Sequence, residues 1–460
     1  MHAESALAGG GQELRRVLAA RHVTMISIGG IMGAGLFVGS SVTINAAGPA
    51  VVLSYLMAGI LVLLVMRMLG EMAVALPQVR TFGDFARTGL GDWAGFVVGW
   101  LYWYFWIVVV PVEAIAGAQL LQLWIPLPAW LLGVGLMAIM TGVNLLSARS
   151  YGEFEFWFAL IKVAAVVSFL IVAAAWAFGL TSTGVPTWSN LVSGGGFAPR
   201  GVVAVLAAVT SVFFAIVGAE ITVVAAAESR EPVRAVARMS TAVMMRILIF
   251  YVGSVLLIVT VVPWQQIVPG KSPFTAAMMA MHFSWAGTAM TLIILTAVLS
   301  CLNSAFYVTS RVLFALAAKG DAPASLVKLN RRGVPVRSVL MGSAAGLAGI
   351  AAATLSPQGV FAFLVNASGA VVLFVYLLVA LAQIRLRRAR SDAQQRALPV
   401  QMWWYPVASY VAVAGMTVVL LAMAITPAMA SQFYVSAITL ALTLAAAWLH
   451  FRRRRGAENG

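Results

Sequence analysis

The chain has 460 residues, 62% of them hydrophobic and only 9% charged, with a mean hydropathy of +0.97. A soluble domain of this length carries far more charge, so composition excludes one and points to an all-α, polytopic membrane protein. The formal net charge of +15 raises nucleic acid as a partner, until the positions of the basic residues are considered.

Residues 1–21 read as a polar cytoplasmic tail. The apolar segment after them is longer than a signal peptide's core, so Arg15 and Arg16 are expected to anchor a retained first span rather than to form a twin-arginine signal. Windows of about twenty apolar residues predict twelve spans, near 22–43, 49–70, 93–123, 129–147, 153–179, 202–225, 238–262, 286–317, 336–355, 358–384, 403–426 and 431–451. With the N-terminus inside, the inner segments hold 25 of the 29 basic residues, whereas the outer segments hold only Arg200 and Lys271. The positive-inside rule then places both termini in the cytoplasm, and membrane topology rather than nucleic acid accounts for the charge. The run Arg452 to Arg455, in the basic tail 452–460, reads as a stop-transfer anchor touching anionic lipid.

Span 1 contains SIGGIMGAGLFVGS, residues 27–40, with glycines at 29, 30, 33, 35 and 39. Each glycine weakens a helix by up to about 1 kcal/mol relative to alanine, and Gly33 and Gly35 flank a point where the backbone can leave helical geometry. Close packing of small residues against a neighbour is the alternative reading. Span 6 favours the break. Its FFAIVGAE, Phe213 to Glu220, is a second interruption in which a glycine is followed by an acid.

Spans 1–5 fill 22–179 and spans 6–10 fill 202–386. Five is odd, so the second set enters from the opposite side, and an inverted five-plus-five repeat is predicted, with spans 11 and 12 (403–451) appended. The third member of each set is unusually long and the first is interrupted. Paired broken helices are the strongest sequence pointer to the central site of a secondary transporter.

Three ionisable groups stand deep in these spans, where a charge costs roughly 2.5–3.5 kcal/mol on insertion scales. Lys162 lies nine residues into span 5, about 13 Å from its inner end. It reads as a fixed cation in place of sodium or as a proton carrier, with a structural lysine bonded to carbonyls of span 1 as the alternative. Glu113 follows Pro111 in span 3 and is expected to receive a substrate ammonium, to neutralise Lys162 or to pack as a neutral acid; a coupling or structural network role is favoured. Glu220 falls where the inner half of span 6 begins, and is read as a gate, a proton carrier or a helix cap.

The broken helices also describe a ligand. The inner half of span 1 is expected to end in exposed N–H groups around Ala34 and Gly35, which suit a carboxylate. Free carbonyls around Ser27 to Gly30 and from Phe214 through Ala215 and Ile216 to Val217 suit an ammonium. The ligand is a small zwitterion, and since residue 34 is alanine its carboxylate relies on backbone donors. Ser300, Asn303 and Ser304 in SCLNSAFYVTSR are expected to face span 1 or to form ordinary interhelical hydrogen bonds. The aromatic run Trp100 to Trp106 reads as packing or lipid-facing surface, and His22 and His282 as interfacial. The single cysteine, Cys301, implies neither disulfide nor metal cluster. No zinc spacing, phosphate loop or nucleophile elbow occurs, so no metal, cofactor or catalytic residue is expected.

The chain resembles the amino acid permeases of the amino acid–polyamine–organocation superfamily, and most closely the bacterial gamma-aminobutyrate (GABA) permeases. The resemblance rests on RHVTM at 21–25, GLFVGSSV at 35–42, AGPAV at 47–51, MRMLGEMAVA at 66–75, GWLYWYFW at 99–106, NLLSARSYGEFEFWFALIKV at 144–163, GAEITVVAAAES at 218–229 and SCLNSAFYVTSR at 300–311. It implies twelve helices with an inverted repeat and proton-coupled uptake. It also implies that the substrate carboxylate meets the backbone of Gly33, Ala34 and Gly35, and that its amino group meets carbonyls of Ile28 or Gly29 and of Phe214 to Val217. Lys162 matches the lysine that replaces sodium in proton-coupled relatives, and Glu113 and Glu220 match recurrent acids. Many relatives carry serine or threonine in place of Ala34, and Gly-Ser-Phe in place of Arg80, Thr81 and Phe82.

The expectation is a proton-coupled importer of GABA or a similar omega-amino acid in the bacterial inner membrane, working by alternating access. A permease for neutral or aromatic alpha-amino acids is the alternative. A sensor on the same fold is disfavoured by tails of about twenty and ten residues, and a membrane-embedded enzyme by the lack of a histidine, metal set or nucleophile near the deep acids.

Overall fold

With no water in a bilayer core to bond backbone groups, a chain this apolar satisfies them within helices. The computed structural model describes residues 32–76, 79, 81–146, 149–181, 186–218, 245–330 and 333–458, and among these there is no strand. Eight helical stretches are long and apolar enough to cross a membrane, the first of them, Ala34–Ala75, covering the latter part of span 1 together with span 2. Shorter apolar helices at Ala129–Leu145, Gly201–Ile216 and Ile247–Val261 complete the set, so every predicted window contains a helix. The fold is that of an all-α, polytopic membrane protein.

The elements that position the site are α1 (Ala34–Phe37), α2 (Ser40–Ala47), α3 (Val51–Ala75), α4 (Phe82–Leu90), α5 (Asp92–Leu121), α6 (Ala129–Leu146), α7 (Arg149–Ala177), α8 (Gly201–Ile216), α9 (Ser254–Val261), α10 (Pro273–Ala280) and α11 (Ser284–Ala318). They are followed by α12 (Val336–Ala353), α13 (Pro357–Arg388), α14 (Val407–Ile425) and α15 (Pro427–Glu458). Helix α5 is the central post, packed along α11, α12 and α13. Its aromatic run behaves as packing surface: Tyr102, Phe105 and Trp106 are buried, and the Trp100 indole donates to the Asp321 carbonyl at 3.1 Å.

Both predicted breaks are present. Met32 and Gly33 are not helical, α1 starts at Ala34, and a second irregularity at Val38 and Gly39 separates it from α2. In span 6, α8 stops at Ile216, Val217 is extended with φ −57° and ψ 146°, and Gly218 turns to φ 106°, a value that glycine adopts without strain. Residues 1–31 and 219–244 lie outside the described residues, and with them Ile28, Gly29, Glu220, His22 and the remaining halves of spans 1 and 6. The two breaks face one another. A Cβ on Gly35 would stand 2.8 Å from Ala215 Cα, so only glycine permits this approach.

Three elements depart from the sequence reading. Span 11 begins at Val407 rather than 403, because Trp404 (φ 46°) and Pro406 sit in the turn before it. Span 12 is longer at both ends: Pro427 occupies its first turn, where a missing N–H costs nothing, and the four arginines continue the helix, Arg452 lying over the Trp448 ring at 5.1 Å. The short amphipathic helix α4 was not predicted. Thr81 caps it by accepting from the Asp84 N–H at 3.2 Å.

One buried polar network was also missed. Glu71 on α3, 1% exposed, accepts from Arg387 at 2.5 Å and Gln383 at 3.0 Å on α13 and from the Met402 N–H at 2.5 Å. Ser409 on α14 donates to Gln383 at 3.1 Å. These contacts tie α3, α13 and α14 at one end of the bundle.

Candidate functional site

The irregular start of α1 leaves the Ala34 N–H without an intrahelical acceptor. The Glu113 carboxylate on α5 fills that role, accepting from this N–H through both oxygens at 3.0 Å. Glu113 is 1% exposed, and it interacts electrostatically with Lys162 and by hydrogen bond with the Cys301 thiol on α11. A Cβ on Gly33 would fall 2.5 Å from both Cys301 Cβ and Glu113 Oε1. Glycine at 33 is therefore what lets spans 1, 3 and 8 converge on one point. Pro111 lies two residues before Glu113 within α5, and it abuts Gly349 of α12, which has no side chain to obstruct the ring.

Lys162 on α7 is fully buried and donates to Ser300 Oγ on α11 at 2.8 Å. Ser300 and Cys301 are consecutive on a helix and so point about 100° apart, one toward α7 and the other toward span 1. Asn303 takes the other course foreseen for it, an ordinary interhelical bond: half-buried, it accepts from Asn144 on α6 at 2.8 Å. Ser304 is buried. Phe214 packs against Phe105 of α5 with ring centroids 5.9 Å apart, and Ala215, Ile216 and Val217 line the end of α8 where carbonyls lose their helical partners.

Two sequence expectations change. The free N–H groups at Ala34 and Gly35 belong to the start of α1, not to the end of the preceding segment, since a helix exposes donors only at its N-terminus. The Ala34 donor is also already engaged by Glu113, the protein's own carboxylate. The place of Cys301 in the site and the Glu71 network were not foreseen: a lone cysteine in an apolar run carries no signal for a contact, and Glu71 falls just past the predicted edge of span 2. Among the described residues no group of three or more metal-ligating side chains occurs.

A cavity lies on each side of this cluster. One, of about 500 Å³, is floored by Val38 and Ala116, each about one turn from Ala34 and Glu113. The other, of about 370 Å³, lies between α4, α5 and α11, with Tyr102, Tyr307 and Arg311 in its wall. Ion pairs of Arg87 with Asp92 (2.8 Å) and Asp321, and of Lys319 with Asp84, rim the second cavity. Helices α5 and α11 line both.

The family profile described as amino acid permease matches residues 22–459, nearly the whole chain. The chain belongs to the amino acid permease family. It is 41% identical to the gamma-aminobutyric acid permease of Bacillus subtilis over 97% of this chain and 95% of that one. It is 42% identical to the Escherichia coli protein of the same name, over 90% of each, and 39% identical to the aromatic amino acid transport protein AroP of Corynebacterium glutamicum, over 92% of each. The solved structure of a manganese transporter from Eremococcus coleocola superposes with a TM-score of 0.59 at 14% identity, covering 95% of both chains, a likeness of fold alone. The permease is thus an integral membrane transporter that takes an amino acid substrate.

Proposed function

We propose that this permease imports GABA or a similar omega-amino acid together with a proton, across the bacterial inner membrane, with both termini in the cytoplasm. In this reading 22–179 and 202–386 are the inverted repeats, and the 500 Å³ cavity faces outside. The observation that carries it is the meeting of two broken helices at a buried carboxylate and a buried ammonium, between two cavities that share walls. The substrate carboxylate takes the backbone donors of Gly33, Ala34 and Gly35, and its ammonium takes the carbonyls of Phe214 to Val217 with those of Ile28 or Gly29. Glu220 gates or relays protons on the inner side, and Ser300, with Ser304 behind it, supports Lys162.

The occupied Ala34 N–H supplies a coupling step. An ionised Glu113 holds that donor by a charge-assisted bond; a protonated one holds it weakly. Protonation therefore frees the donor for the substrate's carboxylate, and proton and amino acid load together. Lys162 keeps the local charge balanced while this exchange occurs. Because AroP relatives align over almost the same length, transport of aromatic alpha-amino acids is the second reading.

The test is uptake of labelled GABA into sodium-free proteoliposomes with and without an inward proton gradient. Gradient-driven accumulation, inhibited by unlabelled GABA more than by alanine or phenylalanine, is the expected result. Silence with GABA alongside accumulation of phenylalanine would select the second reading.

A further inference from the structure

The 500 Å³ cavity has a chemistry of its own. Its wall carries Lys271 and the amides of Gln119, Gln266 and Gln358, and no acidic side chain among the described residues. The Lys271 ammonium makes no hydrogen bond or ion pair among them. Only two cations belong to the predicted outer segments, and the other, Arg200, stacks on the Trp264 ring at 5.3 Å. A free cation facing a walled cavity without a neutralising acid sets up a positive potential there, undiminished by an internal partner.

The position of Lys271 is also tied to the site. The Gly270 N–H donates to Ser41 Oγ on α2 at 2.9 Å. Phe274, at the start of α10, packs on Phe37 of α1 at 5.1 Å and on Phe169 of α7 at 4.8 Å between ring centroids. The segment bearing Lys271 is thus clamped to span 1 just beyond Ala34. Its lining residues come from spans 1, 3, 8 and 10 and from the segment between spans 7 and 8. In the reading that opens this cavity to the outside, the cation meets solutes entering from the aqueous side.

We propose that this cavity is a first binding station, in which Lys271 captures the carboxylate of an incoming amino acid and the glutamine amides hydrogen-bond the rest of it, before the solute passes Val38 and Ala116 to the central site. The station selects for carboxylates: amines of similar length gain nothing from it. It rests on the amino acid uptake reading but not on GABA, since any amino acid has the group it recognises.

The test uses the full-length permease in proteoliposomes, with whichever amino acid the wild type accumulates. Lys271→Gln is expected to raise KM by roughly fivefold, the most that an exposed ion pair usually supplies, with maximal rate little changed. Lys271→Arg is expected to stay near wild type, and inhibition by an amine lacking the carboxylate is expected to be equal in both. Lys271→Cys, modified after folding, guards against misfolding: an ammonium-bearing thiol reagent should restore KM and a sulfonate-bearing one should raise it further, with wild type, whose Cys301 is buried, as the control. An unchanged KM in Lys271→Gln, or equal effects of the two reagents, overturns the station. A wild type that ignores GABA but moves another amino acid overturns the substrate reading alone.

Discussion

At the scale of single residues, the site is a set of charges made tolerable by partners. Lys162, fully buried, is stabilised by Ser300 Oγ and by the Glu113 carboxylate nearby, which offsets the cost of desolvating its ammonium. Lys162→Ala leaves Glu113 without its counter-charge. The variant is expected to lose accumulation against a gradient while retaining exchange of internal for external substrate, measured by counterflow in proteoliposomes. Normal uphill uptake by a well-folded Lys162→Ala protein would make the lysine merely structural. Lys162 and Glu113 were legible in the sequence because a charge inside an apolar window is rare. Cys301 was not, because its role depends on which helix stands opposite.

At the scale of elements, the two breaks follow from local chemistry. Glycine lowers the penalty for non-helical backbone wherever it occurs, so Gly33 and Gly218 mark their own interruptions. The small helix α4 is a harder case. Its nine residues, with an arginine and an aspartate, are too short and polar to register as a span, and its existence depends on the Thr81 cap and the Lys319 pairing with Asp84. Thr81→Ala removes the acceptor for the Asp84 N–H and is expected to cost α4 about 1 kcal/mol. Hydrogen exchange of the amides between Phe82 and Leu90 should quicken in Thr81→Ala and stay near wild type in Thr81→Ser.

For the whole molecule, stability and transport draw on different polar networks. The Glu71 network joins helices far apart in the chain and lies away from the Glu113 cluster. Glu71→Ala strands the buried guanidinium of Arg387, 8% exposed, and is expected to destabilise the fold by about 3 kcal/mol or more. A lowered unfolding temperature in detergent, with KM unchanged for the protein that remains folded, would confirm the separation. Replacing Arg387 by methionine in the same chain should recover part of the loss, because no charge is then left buried alone.

Much of this permease is written locally. Apolar windows set the number of crossings, glycines set where two of them break, and the family motifs are contiguous strings; each is a property of neighbours in the chain, so the sequence by itself determined them. Partnership is not local. Glu113 reaches Ala34 across 79 residues and Lys162 reaches Ser300 across 138, and which of several donors a buried acid meets depends on how helices rotate and pack. Only the tertiary structure decided that the carboxylate on the Ala34 N–H is the protein's own, and that Gly33 is glycine to let spans 1, 3 and 8 touch.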